Sequence, residues 1–212
     1  MRLGTAISEQ GCRRCPLWVG TQVVSGKGPV PSEWMFVGEA PGREEDRVGM
    51  PLVGASGRLF DKLLKEAKID RGAVFVTNVV KHRPPENRKP KISEIKACAE
   101  WLKIEIRAVK PKTLVTLGKV AAEAIVRLTG RVEKVSMEME HGQGRKRVVE
   151  GEEVWHVCMY HPAAVFRQPE LWPVLVMDFQ KLQAVGTGGV GEYRLVEEEE
   201  LEGMWRVAWI SS

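Results

Sequence analysis

No stretch of this 212-residue chain is apolar for long enough to cross a bilayer, and its first residues lack the long apolar core of a secretory signal. A membrane-spanning helix is thereby excluded and a cytoplasmic protein is expected. Cysteine is scarce too. The four, at positions 12, 15, 98 and 158, are too few for a disulfide-dense scaffold, and in a cytoplasmic setting they point first to metal or redox chemistry. There are no internal repeats, which removes solenoid and propeller architectures.

What is present describes an ordinary globular protein: 43% apolar and 28% charged residues, enough for one core and a small appendage. The net charge of +4 is unevenly spread, because residues 186–212 hold six Glu against Arg194 and Arg206. The body is therefore more basic than the total suggests, which suits a polyanionic partner.

Hydrophobic periodicity alternates between strand and helix. Strands are expected at 34–37, 74–80, 113–117 and 154–160. Helices are expected at 57–67, from an N-cap at Ser93 to Pro111, at 120–128 and at 172–185. Residues 131–153, charged and β-branched around His141-Gly142-Gln143-Gly144, read as an excursion in the form of a hairpin. This order predicts a three-layer α/β/α sandwich with a central four-stranded parallel sheet. One domain is expected over 1–185. A Gly-rich linker and an acidic, aromatic extension follow over 186–212.

In such sheets ligands bind beyond the carboxyl ends of the strands. Glu39, Asn78, Gly118 and His161 fall there, and three of them carry useful chemistry. The segment Val37-Gly-Glu-Ala-Pro-Gly-Arg-Glu-Glu-Asp46 combines a sharp turn with grouped carboxylates. It serves either acid/base chemistry and water positioning, or merely the cap of a following helix. Cys12 and Cys15 form half of a metal site, completed from among His82, Cys98, Cys158 and the remaining histidines. Cys158 sits mid-strand, where a small buried hydrophobe is the simplest reading. Three thiolates and an imidazole suit zinc or an iron–sulfur cluster equally.

Taken together, several segments resemble family 4 of the uracil-DNA glycosylase superfamily. They are Cys12-Arg-Arg-Cys-Pro-Leu17, Val37 to Asp46, Gly49-Met-Pro-Leu-Val-Gly54, Thr77-Asn-Val-Val-Lys-His-Arg-Pro-Pro85, Asn87-Arg-Lys-Pro90, Ala97-Cys98 and His161-Pro-Ala-Ala-Val-Phe-Arg167, in the family's order over residues 12 to about 185. The resemblance implies hydrolysis of the N-glycosidic bond between uracil and deoxyribose in single- or double-stranded DNA. It also implies a [4Fe-4S] cluster held by Cys12, Cys15, His82 and Cys98. Asn78 would read the uracil edge, His161 would donate to uracil O2, and Glu39 or Glu45 would serve the attacking water. Ala40, Gly42 and Leu52 would line the base pocket. Val165 and Phe166 would wedge the gap left by the flipped base, with Arg167 and the basic loop 81–91 on phosphates.

Two positions depart from the family pattern, and a third differs from better-known relatives. His82 stands where the family carries Cys, with Cys158 the alternative fourth ligand. Leu52 replaces a Phe that would stack on the base, and Ala40 replaces an Asp of better-known relatives, leaving the carboxylate work to Glu39 and Glu45. Imidazole ligation also occurs in a related group that traps DNA covalently through a histidine in an inserted loop. Here the short segment 84–90 has no further His. Two other readings stay open: a non-catalytic or trapping Fe–S DNA-binding protein on this fold, and a zinc-stabilised nucleic-acid module. A monomer is expected, with the C-terminal extension a docking segment for a replication or repair protein.

Overall fold

A computed structural model describes residues 11–185; the linker and extension expected over 186–212 lie outside the described residues. The first strand, β1 (Trp34–Gly38), leads through a turn into the short helix α1 (Arg43–Val48) and then α2 (Ala55–Glu66). β2 (Val74–Asn78) is followed by the long α3 (Ile92–Val109), β3 (Thr113–Leu117) and α4 (Lys119–Leu128). A one-turn α5 (Met137–Glu140) precedes β4 (Gly144–Val149) and β5 (Glu152–Met159), and α6 (Leu171–Val185) closes the domain.

Among the described residues the sheet has five strands in the order β2-β1-β3-β5-β4. Four are parallel, as expected; β4 is the addition, running antiparallel along the edge of β5. Its sequence, Gly-Arg-Lys-Arg-Val-Val, is too polar to look like a core strand, because only an edge strand can keep its charges in water. The hairpin anticipated around His141–Gly144 instead turns at Glu150-Gly151, where both residues have positive φ (53° and 85°). That is the two-residue geometry whose twist matches antiparallel strands.

Side-chain alternation along β1 builds the layers. Met35 and Val37 face α3 and α4, packing with Leu102, Ile106, Ala121 and Ile125. Phe36 faces α2 and α6, packing with Phe60, Leu63, Leu175 and Phe179. The Phe36 ring lies 5.0 Å from that of Phe60 and 6.0 Å from that of Phe179. β3 is buried at every position, as an inner parallel strand must be, and β2, at the edge of the sheet, is equally buried, with Lys27 bridging to Val76 along its outer side.

Several boundaries differ from expectation, one of them for a capping reason. α3 begins at Ile92, before Ser93, because Glu94 accepts from the Lys91 N–H at 2.7 Å and makes Lys91 the N-cap. β2 ends at Asn78, although Val79 and Val80 still donate to the carbonyls of Gly38 and Glu39.

Candidate active site

The carboxyl ends of β1 and β2, with the segment after β5, enclose a cavity of about 440 Å³ lined in part by Glu39, Ala40, Gly42, Leu52, Asn78 and His161. Backbone register makes this convergence. Gly38 pairs with Asn78 across β1 and β2, so the Asn78 side chain lies over residue 38. A Cβ there would stand 2.4 Å from Asn78 Oδ1, and glycine is the residue that leaves room. Asn78 is buried, yet no described residue hydrogen-bonds its carboxamide, which therefore meets the cavity with both donor and acceptor free.

His161 is placed by a cap. The Ala163 N–H donates to its Nδ1 at 3.1 Å at the start of a 3₁₀ turn over Pro162–Phe166. Burial pushes the imidazole down to about 4, against the weaker pull of Glu45, so the ring is neutral at neutral pH. With Nδ1 accepting, the one proton resides on Nε2. Capping and a catalytic role are compatible here: Nδ1 caps, and Nε2 has no partner among the described residues. Gly118, chemically blank in the sequence, has φ +91°, and a Cβ on it would approach His161 Cβ to 3.3 Å. It makes space for the histidine.

The two carboxylates are separated by their partners. Glu45 is buried, and its oxygens accept from the N–H groups of Gly42 (3.1 Å), Val53 (3.1 Å) and Gly54 (2.8 Å). It thus caps α1 and pins the loop that carries Leu52, itself at φ +51°. That loop presses on α2 so closely that a Cβ at Gly57 would lie 2.0 Å from the Leu52 carbonyl oxygen. Glu39 is half-buried, accepts none of these bonds, and has its carboxyl raised above 4.5 by burial, with Lys89 opposing. The acidic turn is therefore both things at once: a helix cap at Glu45 and a free carboxylate at Glu39.

At the rim, Arg167 borders the cavity and Phe166 projects with 57% exposure, while Val165 packs partly against the Phe36 core. The expected basic phosphate loop is only partly available. Lys81 is fully buried, and Arg88 is clamped by both oxygens of Glu94 (2.9 and 2.7 Å). This pairing holds Glu94 below the usual carboxylate range. Asn87 and Arg88 join the cavity wall, with Glu86 and Asn87 successively in the left-handed region (φ 52° and 53°). The motif Asn87-Arg-Lys-Pro90 was the sequence signal for them.

On the α3 side of the sheet, Cys12, Cys15 and Cys98 belong to one buried neighbourhood. The Trp101 indole N–H donates to Cys12 Sγ and the Lys81 backbone N–H to Cys98 Sγ, each at 3.3 Å. Burial pushes the Cys98 thiol up to about 11, with further upward pushes from Cys12 and Cys15. His82 is buried, shares a cavity of about 340 Å³ with Cys12, and is held neutral by burial. Among the described residues, no group of three or more His, Cys, Asp or Glu is gathered tightly enough to hold a metal as it stands. The donor chemistry nonetheless fits a thiophilic centre: three thiols in one neighbourhood, two of them receiving N–H bonds, and a neutral imidazole. Cys158 lies elsewhere, packed with Ala122, Val126 and Val135.

Comparison with known proteins agrees with this geometry. The model of the uracil DNA glycosylase superfamily matches residues 25–182. The chain is 41% identical over 183 residues to a type-4 uracil-DNA glycosylase of Pyrobaculum aerophilum, covering 85% of this chain and 90% of that protein. It is 40% identical over 174 residues to the type-4 enzyme of Sulfurisphaera tokodaii (81% and 79% covered). It is 38% identical over 172 residues to that of Archaeoglobus fulgidus (81% and 86% covered).

Proposed function

Because the chain belongs to the type-4 branch of the uracil-DNA glycosylase superfamily, we propose that it flips uracil out of DNA and hydrolyses its N-glycosidic bond, leaving an abasic site. The observation that carries this reading is the unpartnered carboxamide of the largely buried Asn78, facing the same cavity as a neutral His161.

A base stacked in a duplex must leave the helix before a pocket can hold it. Phe166, the exposed member of the two wedge candidates, fills the vacated space, and Arg167 meets a neighbouring phosphate. In the pocket, Leu52 packs on the base while the Asn78 amide pairs with uracil's O4 and N3–H. Cytosine carries the opposite hydrogen-bonding pattern at those positions, so a fixed amide rejects it. As the bond between C1′ and N1 breaks, its electron pair moves onto the base, and His161 Nε2–H donates to the O2 where charge collects. Glu39 orients the water whose oxygen adds to C1′ and takes up its proton. Glu45, with both oxygens spent on backbone donors, keeps the Leu52 loop in place.

Cys12, Cys15, His82 and Cys98 would hold a [4Fe-4S] cluster. When bound, it would cross-link the N-terminal segment to α3 and the loop after β2, bracing the fold. In protein purified without oxygen, His82→Ala is expected to lose most of the iron per chain and the visible absorbance of the cluster, whereas Cys158→Ala keeps both. Iron loss from Cys158→Ala alone would mean that the fourth ligand is misassigned.

The function is tested by base release from single-stranded DNA, and from duplexes with uracil opposite guanine and opposite adenine. Free uracil in molar excess over protein is expected. A stable stoichiometric complex without turnover would instead establish the trapping reading. Among the described residues no helix is long and apolar enough to cross a membrane. The reading is of a monomeric DNA-repair enzyme working in the cytoplasm, with 186–212 available to a replication or repair protein.

A further inference from the structure

Beneath Asn78, and outside the pocket, lies a fully buried ion pair that none of the chemistry above uses. Lys81 is 0% exposed and Glu105 1%. The Lys81 ammonium donates all three protons, to Thr77 Oγ1 (2.6 Å), the Asn78 carbonyl oxygen (2.7 Å) and Glu105 Oε2 (2.6 Å). Glu105 is likewise satisfied: Oε2 also accepts from the Thr77 hydroxyl at 2.8 Å, and Oε1 from the Gly26 N–H at 3.0 Å. Burying two charges gains little stability over an apolar pair of the same volume. The pair's geometry shows what it holds.

The peptide group that follows Asn78 is fixed from both sides. Its carbonyl is bonded by Lys81, and its N–H, that of Val79, donates to the Gly38 carbonyl at 2.9 Å. β2 has ended here, so no sheet ladder performs this task for the Asn78 carbonyl. With the peptide plane locked, the direction of the Asn78 Cα–Cβ bond is set. The carboxamide itself has no hydrogen bond to any described residue, so backbone control and the close fit over Gly38 alone aim it.

We infer that the buried Lys81–Glu105 pair is a positioning device for uracil recognition, holding the Asn78 carboxamide in register for the base from beneath. This rests on the reading of Asn78 as the group that meets uracil. A displacement of about 1 Å at such a group costs on the order of 100-fold in rate.

The test uses the full chain and single-stranded oligonucleotides containing one uracil. The double substitution Lys81→Met with Glu105→Leu removes both charges, leaves neither unpaired, and keeps the volume. Because the Gly26 N–H and the Asn78 carbonyl lose their partners, the thermal midpoint is expected to fall; assayed well below that midpoint, kcat is expected to be about 100-fold lower and KM changed less than about threefold. In an Asn78→Ala background the same double substitution is expected to add no further loss, because the positioned group is gone. Thr77→Val, near-isosteric, weakens the network without touching its charges and supplies a second arm if the double variant does not fold. It is expected to lower kcat about tenfold, with the extra loss again vanishing on Asn78→Ala. Wild-type kcat in the variant that folds, or a full additive loss on top of Asn78→Ala, overturns the positioning role. Wild-type kcat in Asn78→Ala alone would instead remove the reading of Asn78 itself, and the two failures are distinct.

Discussion

Asn78→Ala is expected to lower kcat for uracil release by about 1,000-fold while leaving the thermal midpoint within a few degrees of wild type. The size follows from what the amide does as the bond breaks. Negative charge spreads from N1 over the ring, and O4 is one of the atoms that receives it. A donor already aimed there in a water-poor cavity is worth roughly 10²–10³ in rate. Losing the partner for N3–H as well places the effect at the upper end. Stability behaves differently from rate at this residue. The carboxamide makes no hydrogen bond within the described residues and faces the cavity, so truncation breaks none. Single-turnover kinetics beside a thermal melt checks both halves. A wild-type rate would sink the assignment, and a collapsed melt would show that Asn78 carries the fold instead.

The order of strands and helices was legible because inner parallel strands are continuous apolar runs bounded by Gly and Pro. β4 was not, since its run of three consecutive charges is the mark of a solvated edge, which in sequence looks like an exposed loop. At the site, chemistry at strand ends located Glu39, Asn78 and His161. What sequence could not supply was the division of labour. Whether Glu39 or Glu45 is free depends on which carboxylate the backbone N–H groups of Gly42, Val53 and Gly54 consume, a fact about a loop folding back over eight or nine positions. Lys81 shows the same limit from the other direction. Within a run of Lys and Arg it looks like a phosphate contact, yet three acceptors draw it completely inside. A lysine's sequence context reports its charge, whereas its burial is decided by partners such as Glu105, 24 residues away.

His161→Ala is expected to lower kcat by a few hundredfold, and its pH behaviour identifies how the residue works. In the wild type, burial holds the imidazole at about 4 against an ordinary value of 6.5, so the ring donates as a neutral group throughout the neutral range. An imidazolium mechanism would lose rate as pH rises through 6.5. A neutral donor gives a plateau there, and the fall on the acid side belongs to Glu39, whose carboxyl is raised by burial and must be ionised to orient water. Accordingly, the residual rate of Glu39→Gln is expected to hold its plateau further into acid, down to the His161 titration near 4. The linkage to stability has a definite sign. Because the folded histidine resists protonation, the unfolded chain takes up the proton first as pH drops below 6.5. The native state is progressively penalised between 6.5 and about 4, and not at all above that window. His161→Ala should therefore melt slightly below wild type at pH 8, having lost the cap to Ala163 at a cost of about 0.5–2 kcal/mol, and close that gap as pH falls toward 5. His161→Asn separates the two nitrogens' roles: its short side chain can restore the cap but does not extend into the cavity, so the melt recovers and the rate does not. A rate that recovers with the cap would reduce His161 to a structural turn, and a wild-type profile descending through 6.5 would replace the neutral donor with a cation.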